Sequence, residues 1–464
     1  VKDFKRELNQ ISPSFCAAKW LQVTVHLQNG STHSCHHPDT HRVPLKELRG
    51  NPSALHNTSK KKQARLQMLS GKRPSECQYC WKIEDLPGDH NSDRHIKSND
   101  TWAKPYLKEI AQKPWSHNTV PTYLEVSFSN ICNFQCSYCQ PADSSRWMNE
   151  VKRHGPYPTS DHFGSLLYAK KRKKLPLPDN ENPYTKAFWD WFPQIYNHLH
   201  ELRVTGGEPL LAKDCDKLLD YLVTHPAPQL NFNLNSNFGI SSLVLEKALK
   251  KMSFLLEAKS LKSVSLYTSL DSWGKQAEYI RYGLDLELWK KNLTMALESL
   301  PDSQVTIMVT YNLLGVFNFL ELLKFVSSLR AQYGLRIFLD ISLLHSPTFL
   351  GVSLLPEKFR PLVDQHVAYM SNPESGFVDY EINKMMRIRE FIQAPLKSSL
   401  KRHWQRDFIS YIQEYDRRKN LSFLEVFPEM TQTWEDWRRI SPRRRWQYSM
   451  RNRILKAFER FFFK

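Results

Sequence analysis

Apolar and polar residues alternate through TYLEVSFS from Thr122 to Ser129, and five later runs repeat the pattern, at 201–206, 231–237, 263–270, 304–311 and 336–344. A period of two is that of a strand, one side chain in and the next out. Between these runs lie stretches of helical periodicity at 188–199, 211–224, 243–257, 286–299 and 316–332. Strand and helix in alternation predict an α/β fold with a parallel sheet. Six such units can close most of the way into a partial (β/α)6 TIM-like barrel, whose chemistry sits at the C-terminal ends of the strands.

Four regions follow from this pattern. Residues 1–100 form a small turn-rich, histidine-rich, cysteine-containing module, in which LQVTVHLQNGSTHS predicts a β-hairpin turning at Asn29-Gly30. SKKKQARLQMLSGKR predicts a basic helix with a solvated face. Residues 101–121 are expected to be a linker broken by Pro105, Pro114 and Pro121, and 122–345 the barrel. Residues 346–464 are a helical, basic extension, opening with a short strand pair at HSPTFLGVSLLPEKF and expected to pack partly with the N-terminal module. The proline-rich stretch 150–187 is an insertion suited to a lid over the substrate.

The length of 464 residues fits one barrel with flanking modules. No apolar run reaches the roughly 18 residues of a membrane span, and no signal-peptide pattern stands near Val1. Eight cysteines are too few for a disulfide scaffold, and seven fall in two spaced groups, which points to metal binding in a reducing cytoplasm. The net charge of +18 suits an anionic partner or an acidic substrate. The final 64 residues, with 16 Lys and Arg against 8 Asp and Glu, suit RNA, a leader peptide or an acidic partner, or else a solvated helical cap.

Two strand ends carry the candidate chemistry. Cys132, Cys136 and Cys139 follow the first barrel strand with the spacing C-x3-C-x2-C. Three soft thiolates suit an iron-sulfur cluster with one open iron, or a zinc knuckle completed by a distant histidine. The second strand ends in Gly206, Gly207, Glu208 and Pro209, where two residues without Cβ let a ligand approach the backbone. Together the two motifs resemble the radical S-adenosylmethionine (radical SAM) enzymes. The resemblance implies that the three cysteines hold a 4Fe-4S cluster, that its open iron chelates the methionine amino and carboxylate groups, and that the GGEP turn receives the amino group.

Ahead of the barrel stand Cys16, Cys35, Cys77 and Cys80. A hairpin between the first two brings them together, and the C-x2-C pair could complete a four-thiolate site for zinc or an iron-sulfur cluster, with His33, His36 and His37 as alternative ligands. The order cysteine, glycine, cysteine, then C-x2-C resembles the auxiliary-cluster (twitch or SPASM) modules of radical SAM enzymes, although those usually follow the barrel. That resemblance implies one second 4Fe-4S cluster. Cys215, alone in a helix, is expected to be a buried hydrophobe.

By the same resemblance, Asn235, Ser236 and Asn237 at the end of the third strand are ribose contacts, Ser269 and Arg281 hold the methionine carboxylate, and Asn312 lines the adenine pocket; from the sequence alone Arg281 could equally be an ordinary surface helix arginine. Asp271, Asp340 and Tyr267 are candidate bases from their strand positions, and each could equally be structural. The expected function is reductive cleavage of S-adenosylmethionine and hydrogen abstraction from a peptide or protein side chain, or from a small molecule or carbohydrate. An electron donor such as flavodoxin or ferredoxin is the implied partner. The rival of another class is a zinc-containing RNA-binding protein, which leaves GGEP and the six-strand pattern unexplained.

Overall fold

The computed structural model describes residues 2–161, 163–178, 182–394 and 396–440; most of the arginine-rich C-terminal stretch lies outside them. The chain divides into two compact units. The first draws on residues up to Asn130, Lys173–Asn235 and Lys251–Val264; the second draws on Ile131–Arg172, Ser236–Lys250 and the chain from Ser265 onward.

The first unit is built on parallel strands β4 (Tyr123–Ser127), β6 (Glu201–Thr205) and β7 (Ala227–Asn235). The predicted N-terminal hairpin is present as β1 (Gln22–His26) and β2 (Ser31–His33), with β3 (His41–Arg42) beside it. It does not stand apart as a separate module, because β1 pairs in parallel with β4, Thr24 opposite Glu125, and so extends the same sheet. Gly30, at φ +72, makes the hairpin turn, where a Cβ would lie 2.1 Å from the Tyr184 ring.

In β6, Leu202 and Val204 are buried while Glu201, Arg203 and Thr205 alternate with them as partly exposed residues. In β7 the same alternation sets Leu230, Phe232 and Leu234 against Asn231, Asn233 and Asn235. Each strand thus has one apolar and one polar face.

The stretch expected as a linker is packed instead: Trp102, Ala103, Leu107 and Ile110 are buried in one cluster with Phe15, Trp20 and Trp81. Ser59–Leu69 is helical as predicted, but its face is not wholly solvated. Lys61 and Arg65 are buried, with Lys61 Nζ on Thr32 Oγ1 at 2.7 Å and Arg65 Nε on the Lys19 carbonyl at 2.9 Å. These acceptors offset the desolvation of the two cations.

The second unit carries the C-terminal part of β8 (Leu261–Ser269) together with β10 (Gln304–Tyr311) and β11 (Ile337–Leu343), all parallel. A two-stranded antiparallel sheet, β5 (Gln135–Cys136) with β9 (Arg281–Tyr282), has no counterpart in the sequence reading. After β11 the expected strand pair is absent among the described residues. Residues 348–359 form three 3-10 turns whose backbone bonds run to near neighbours, such as Leu350 N to Pro347 O and Phe359 N to Pro356 O. Pro347, Gly351 and Pro356 leave no segment long enough to pair. The helices Arg360–Ser371, Asp379–Gln393 and Ser398–Lys419 follow. The fold class is therefore the expected mixed α/β one, with a parallel central sheet of the partial TIM-like kind. No helix among the described residues is long and apolar enough to cross a membrane.

Candidate cluster and cofactor site

Cys132, Cys136 and Cys139 share one loop in the second unit, and the loop is held from several sides. Its middle is strand β5, so Cys136 lies opposite Arg281 in the β5–β9 pair, and Ser137 N donates to the Ile280 carbonyl at 2.7 Å. The Trp147 indole N–H donates to the Cys136 carbonyl at 2.9 Å, and Tyr411 Oη donates to the Ser137 carbonyl at 2.5 Å. Tyr411 belongs to the helix Ser398–Lys419, so the C-terminal extension buttresses the loop. At the front, Asn133 Nδ2 donates to the Gly239 carbonyl at 2.7 Å, and Asn237 Nδ2 reaches Asn133 Oδ1 at 2.8 Å.

The donors around the sulfurs suit thiolate ligands. Phe134 N–H approaches Cys132 Sγ at 3.4 Å, with Asn237 Nδ2 at 4.0 Å, and Arg281 Nη1 stands 3.7 Å from Cys136 Sγ. Cys136 and Cys139 share a hydrogen bond that holds the Cys136 thiol below its ordinary range; burial opposes this and the Arg281 cation assists it. A soft three-thiolate set with N–H groups aimed at sulfur fits an iron-sulfur cluster with an open position. Among the described residues no three His, Cys, Asp or Glu side chains form a group for a single metal ion.

Two glycines let the loop close. A Cβ at Gly239 would stand 2.1 Å from the Phe134 ring, and one at Gly283, where φ is +104, would stand 2.9 Å from the Asn133 carbonyl. Gly239→Ala is therefore expected to push Phe134 and the loop outward. The measurement is iron per chain after gel filtration of reconstituted protein; iron equal to wild type would refute the clash.

The GGEP turn belongs to the first unit. Gly206 has φ +139, and a Cβ there would meet the Ser129 carbonyl at 3.0 Å and Ser127 Oγ at 3.1 Å. Gly207 N donates to that same carbonyl at 3.3 Å. Glu208 is buried and caps the following turn through Leu210 N at 3.2 Å, with Pro209 buried beside it. The position accepts only glycine, which fits a backbone-lined cradle for a small ligand.

The other predicted contacts divide. Ser236 lies at the end of β7, its N–H on the Tyr267 carbonyl and its Oγ accepting from Phe238 N, and Ser269 is half-buried at the end of β8. The Asn312 amide is engaged within its own turn, accepting from Leu314 N and Gly315 N and donating to the Thr310 carbonyl. Asp271 and Asp340, offered as bases, are both paired with cations, Arg281 and Lys384. Cys215 is buried, as expected of a lone helical cysteine, and burial pushes its thiol up to about 12.

In the first unit Cys16, Cys35, Cys77 and Cys80 line one small cavity, with Lys19, Arg94 and Lys97 supplying positive charge. Burial pushes the Cys77 and Cys80 thiols up to about 12, so a metal must displace their protons. Burial pulls the Lys19 ammonium down, but Cys77, Glu76 and Cys35 outweigh it and hold it above its ordinary value.

The neighbouring histidines have other partners. His33 Nδ1 bonds the Cys35 carbonyl and its Nε2 lies 3.3 Å from His26 Nε2, while His37 Nε2 is 2.6 Å from Asp93 Oδ2. His36 Nδ1 lies 3.9 Å from Glu125 Oε2.

Glu125 itself escaped the sequence reading. It is buried on the polar face of β4, its Oε1 accepting from Thr205 Oγ1 at 3.3 Å, and burial raises its carboxyl above the usual range. Arg203 lies opposite it on β6 and donates to Asn235 Oδ1 at 3.0 Å. The polar period of two in LEVS, ELRVT and LNFNLN carried the signal: a charged residue in mid-strand at an alternating position belongs to a working face.

Residues 126–325 match the family described as the Radical SAM superfamily. A GTP 3',8-cyclase of Helicobacter pylori strain 26695 is 27% identical over 201 residues, which is 42% of this chain and 53% of that protein. One of Sulfurimonas denitrificans is 25% identical over 122 residues, 26% of this chain and 29% of that one. The chain thus spans about half, or less, of the length of these curated relatives. Streptococcus suis SuiB bound to S-adenosylmethionine is similar at 14% identity and a TM-score of 0.33, over 78% of this chain and 71% of that one. The family brings a 4Fe-4S cluster and S-adenosylmethionine with it. Over residues 126–325, then, the chain is similar to the radical SAM superfamily.

Proposed function

We propose that the protein is a radical SAM enzyme that reductively cleaves S-adenosylmethionine and takes hydrogen from a peptide or protein side chain. The observation that carries the reading is the Cys132–Cys139 loop, with three thiols on one short turn and donors at 3.4–4.0 Å from two of the sulfurs. Cys132, Cys136 and Cys139 would hold a 4Fe-4S cluster, which would supply the one electron that cleaves S-adenosylmethionine to methionine and a 5'-deoxyadenosyl radical, the species that takes hydrogen from the substrate. Gly206, Gly207, Glu208 and Pro209 are the proposed contacts of the amino group, and Ser236, Asn237 and Ser269 those of the rest of the cofactor. Trp147 and Tyr411 hold the loop in place.

The four-thiolate cavity supports a second 4Fe-4S cluster, with zinc as the competing occupant. A second redox centre suits a substrate that is oxidised after losing hydrogen, which is the support for a peptide side chain. The relatives' names refer to GTP, but their likeness covers only part of either chain at 25–27% identity, so the nucleotide is not carried over. An external one-electron donor such as flavodoxin or ferredoxin completes the scheme.

The test is anaerobic incubation of reconstituted, reduced protein with S-adenosylmethionine and chromatography for 5'-deoxyadenosine. A slow yield without substrate is expected, and Cys136→Ala should abolish it. Equal yield from that variant would sink the assignment.

A further inference from the structure

Arg281 is buried in the second unit, and its guanidinium already has a carboxylate. Nη2 donates to Asp271 Oδ1 at 3.1 Å, and Nε lies 2.9 Å from Asp271 Oδ2 as an ion pair without making a hydrogen bond. The third nitrogen, Nη1, stands 3.7 Å from Cys136 Sγ. Asp271 is itself fully buried and receives Tyr138 Oη at 2.7 Å and Thr310 N at 2.8 Å. Tyr138 is the residue before the third cysteine, and Arg281 sits opposite Cys136 in the β5–β9 pair, so both partners of this carboxylate are fixed to the cysteine loop by the backbone. The Arg281 cation also lies 5.7 Å from the Tyr138 ring centre. At Gly315 a Cβ would stand 2.7 Å from the Asp271 carbonyl, which closes the assembly from the β10 side.

We propose that Arg281 is a positioning residue for the cluster ligand Cys136 and that the Arg281–Asp271 pair sets the reduction potential of the cluster. It is not the residue that grips the methionine carboxylate. Nη1 and Nη2 are already engaged on Cys136 and Asp271, and drawing the guanidinium to another carboxylate would separate a buried ion pair and leave an uncompensated charge on Asp271. The geometry instead gives Arg281 an N–H donor and a positive charge beside a thiolate, and both favour the reduced, more negative cluster. Asp271 holds that charge in part-neutralised form. Removing either partner therefore moves the potential, and the two removals move it in opposite directions.

This inference rests on Cys132, Cys136 and Cys139 being the cluster ligands; failure of that reading would appear separately, as wild-type protein with no EPR signal that responds to S-adenosylmethionine. The experiment follows that signal in an anaerobic redox titration of the full chain, alongside equilibrium dialysis with S-adenosylmethionine. Arg281→Gln is expected to shift the midpoint to more negative potential, Arg281→Lys to restore most of it, and Asp271→Asn to shift it to more positive potential. S-adenosylmethionine affinity should stay within about twofold of wild type in Arg281→Lys, well under the tenfold that 1.4 kcal/mol represents. If Arg281→Gln does not retain its cluster, the sign of the Asp271→Asn shift decides. An unmoved midpoint in Asp271→Asn, or in an Arg281→Gln that keeps its cluster, would overturn the proposal, as would a tenfold or greater loss of affinity in Arg281→Lys.

Discussion

Reconstituted protein is expected to carry about 8 iron atoms per chain, and replacing Cys132, Cys136 and Cys139 together by alanine should leave about half of that iron and its visible absorbance. The expectation follows from where the thiols are. The barrel three lie on one loop of the second unit, whereas Cys16, Cys35, Cys77 and Cys80 line a cavity of the first, so neither set needs the other's ligands. Zinc with one or two histidines is the competing occupant of that cavity, but His33, His36 and His37 each have another polar partner. Lys19, Arg94 and Lys97 bring positive charge to a centre whose four thiolates make it strongly negative. About 4 iron and 1 zinc in the wild type, with zinc alone in the triple variant, would assign the cavity to zinc instead.

Much of the barrel could be read from period alone. The helix at 286–299 and the strand at 304–311 have the bounds that alternation and helical spacing predicted, because each buries one continuous apolar face. β7 begins earlier than the expected 231, at Ala227, because Pro228 is tolerated at an exposed strand position.

What the sequence hid was long-range. The β5–β9 pair joins residues some 145 positions apart and only two residues wide, too short for any periodicity. Prolines at 105, 114 and 121 suggested a linker, but Trp102 and Leu107 decide its fate by entering the core. Lys61 and Arg65 read as a solvated face because sequence cannot reveal that Thr32, Asn57 and the Lys19 carbonyl wait for them. Arg281 is the sharpest case. Its position suggested a cofactor contact, and only the positions of Asp271 and Cys136 reveal what the guanidinium touches.

Glu381→Ala should destabilise the second unit by about 3–5 kcal/mol, the scale of breaking a buried ion pair by removing one partner. Glu381 is fully buried in the helix Asp379–Gln393 and takes both forks of Arg330, Nη2 to Oε1 at 2.5 Å and Nη1 to Oε2 at 3.0 Å. It also accepts the Leu339 N–H of β11 at 2.7 Å and, at its own helix start, the Val378 N–H at 3.1 Å. One carboxylate therefore joins a strand, the helix of Arg330 (Phe319–Tyr333) and the helix that follows. Alanine leaves Arg330 charged and buried and two backbone donors unsatisfied, whereas Arg330→Met with Glu381→Leu removes both charges and should recover part of the loss. Urea unfolding of the cluster-loaded chain, followed by tryptophan fluorescence, measures the change in the midpoint of the transition. If the single variant keeps the wild-type midpoint, the ion pair does not hold β11 to these helices and the barrel closes by packing alone.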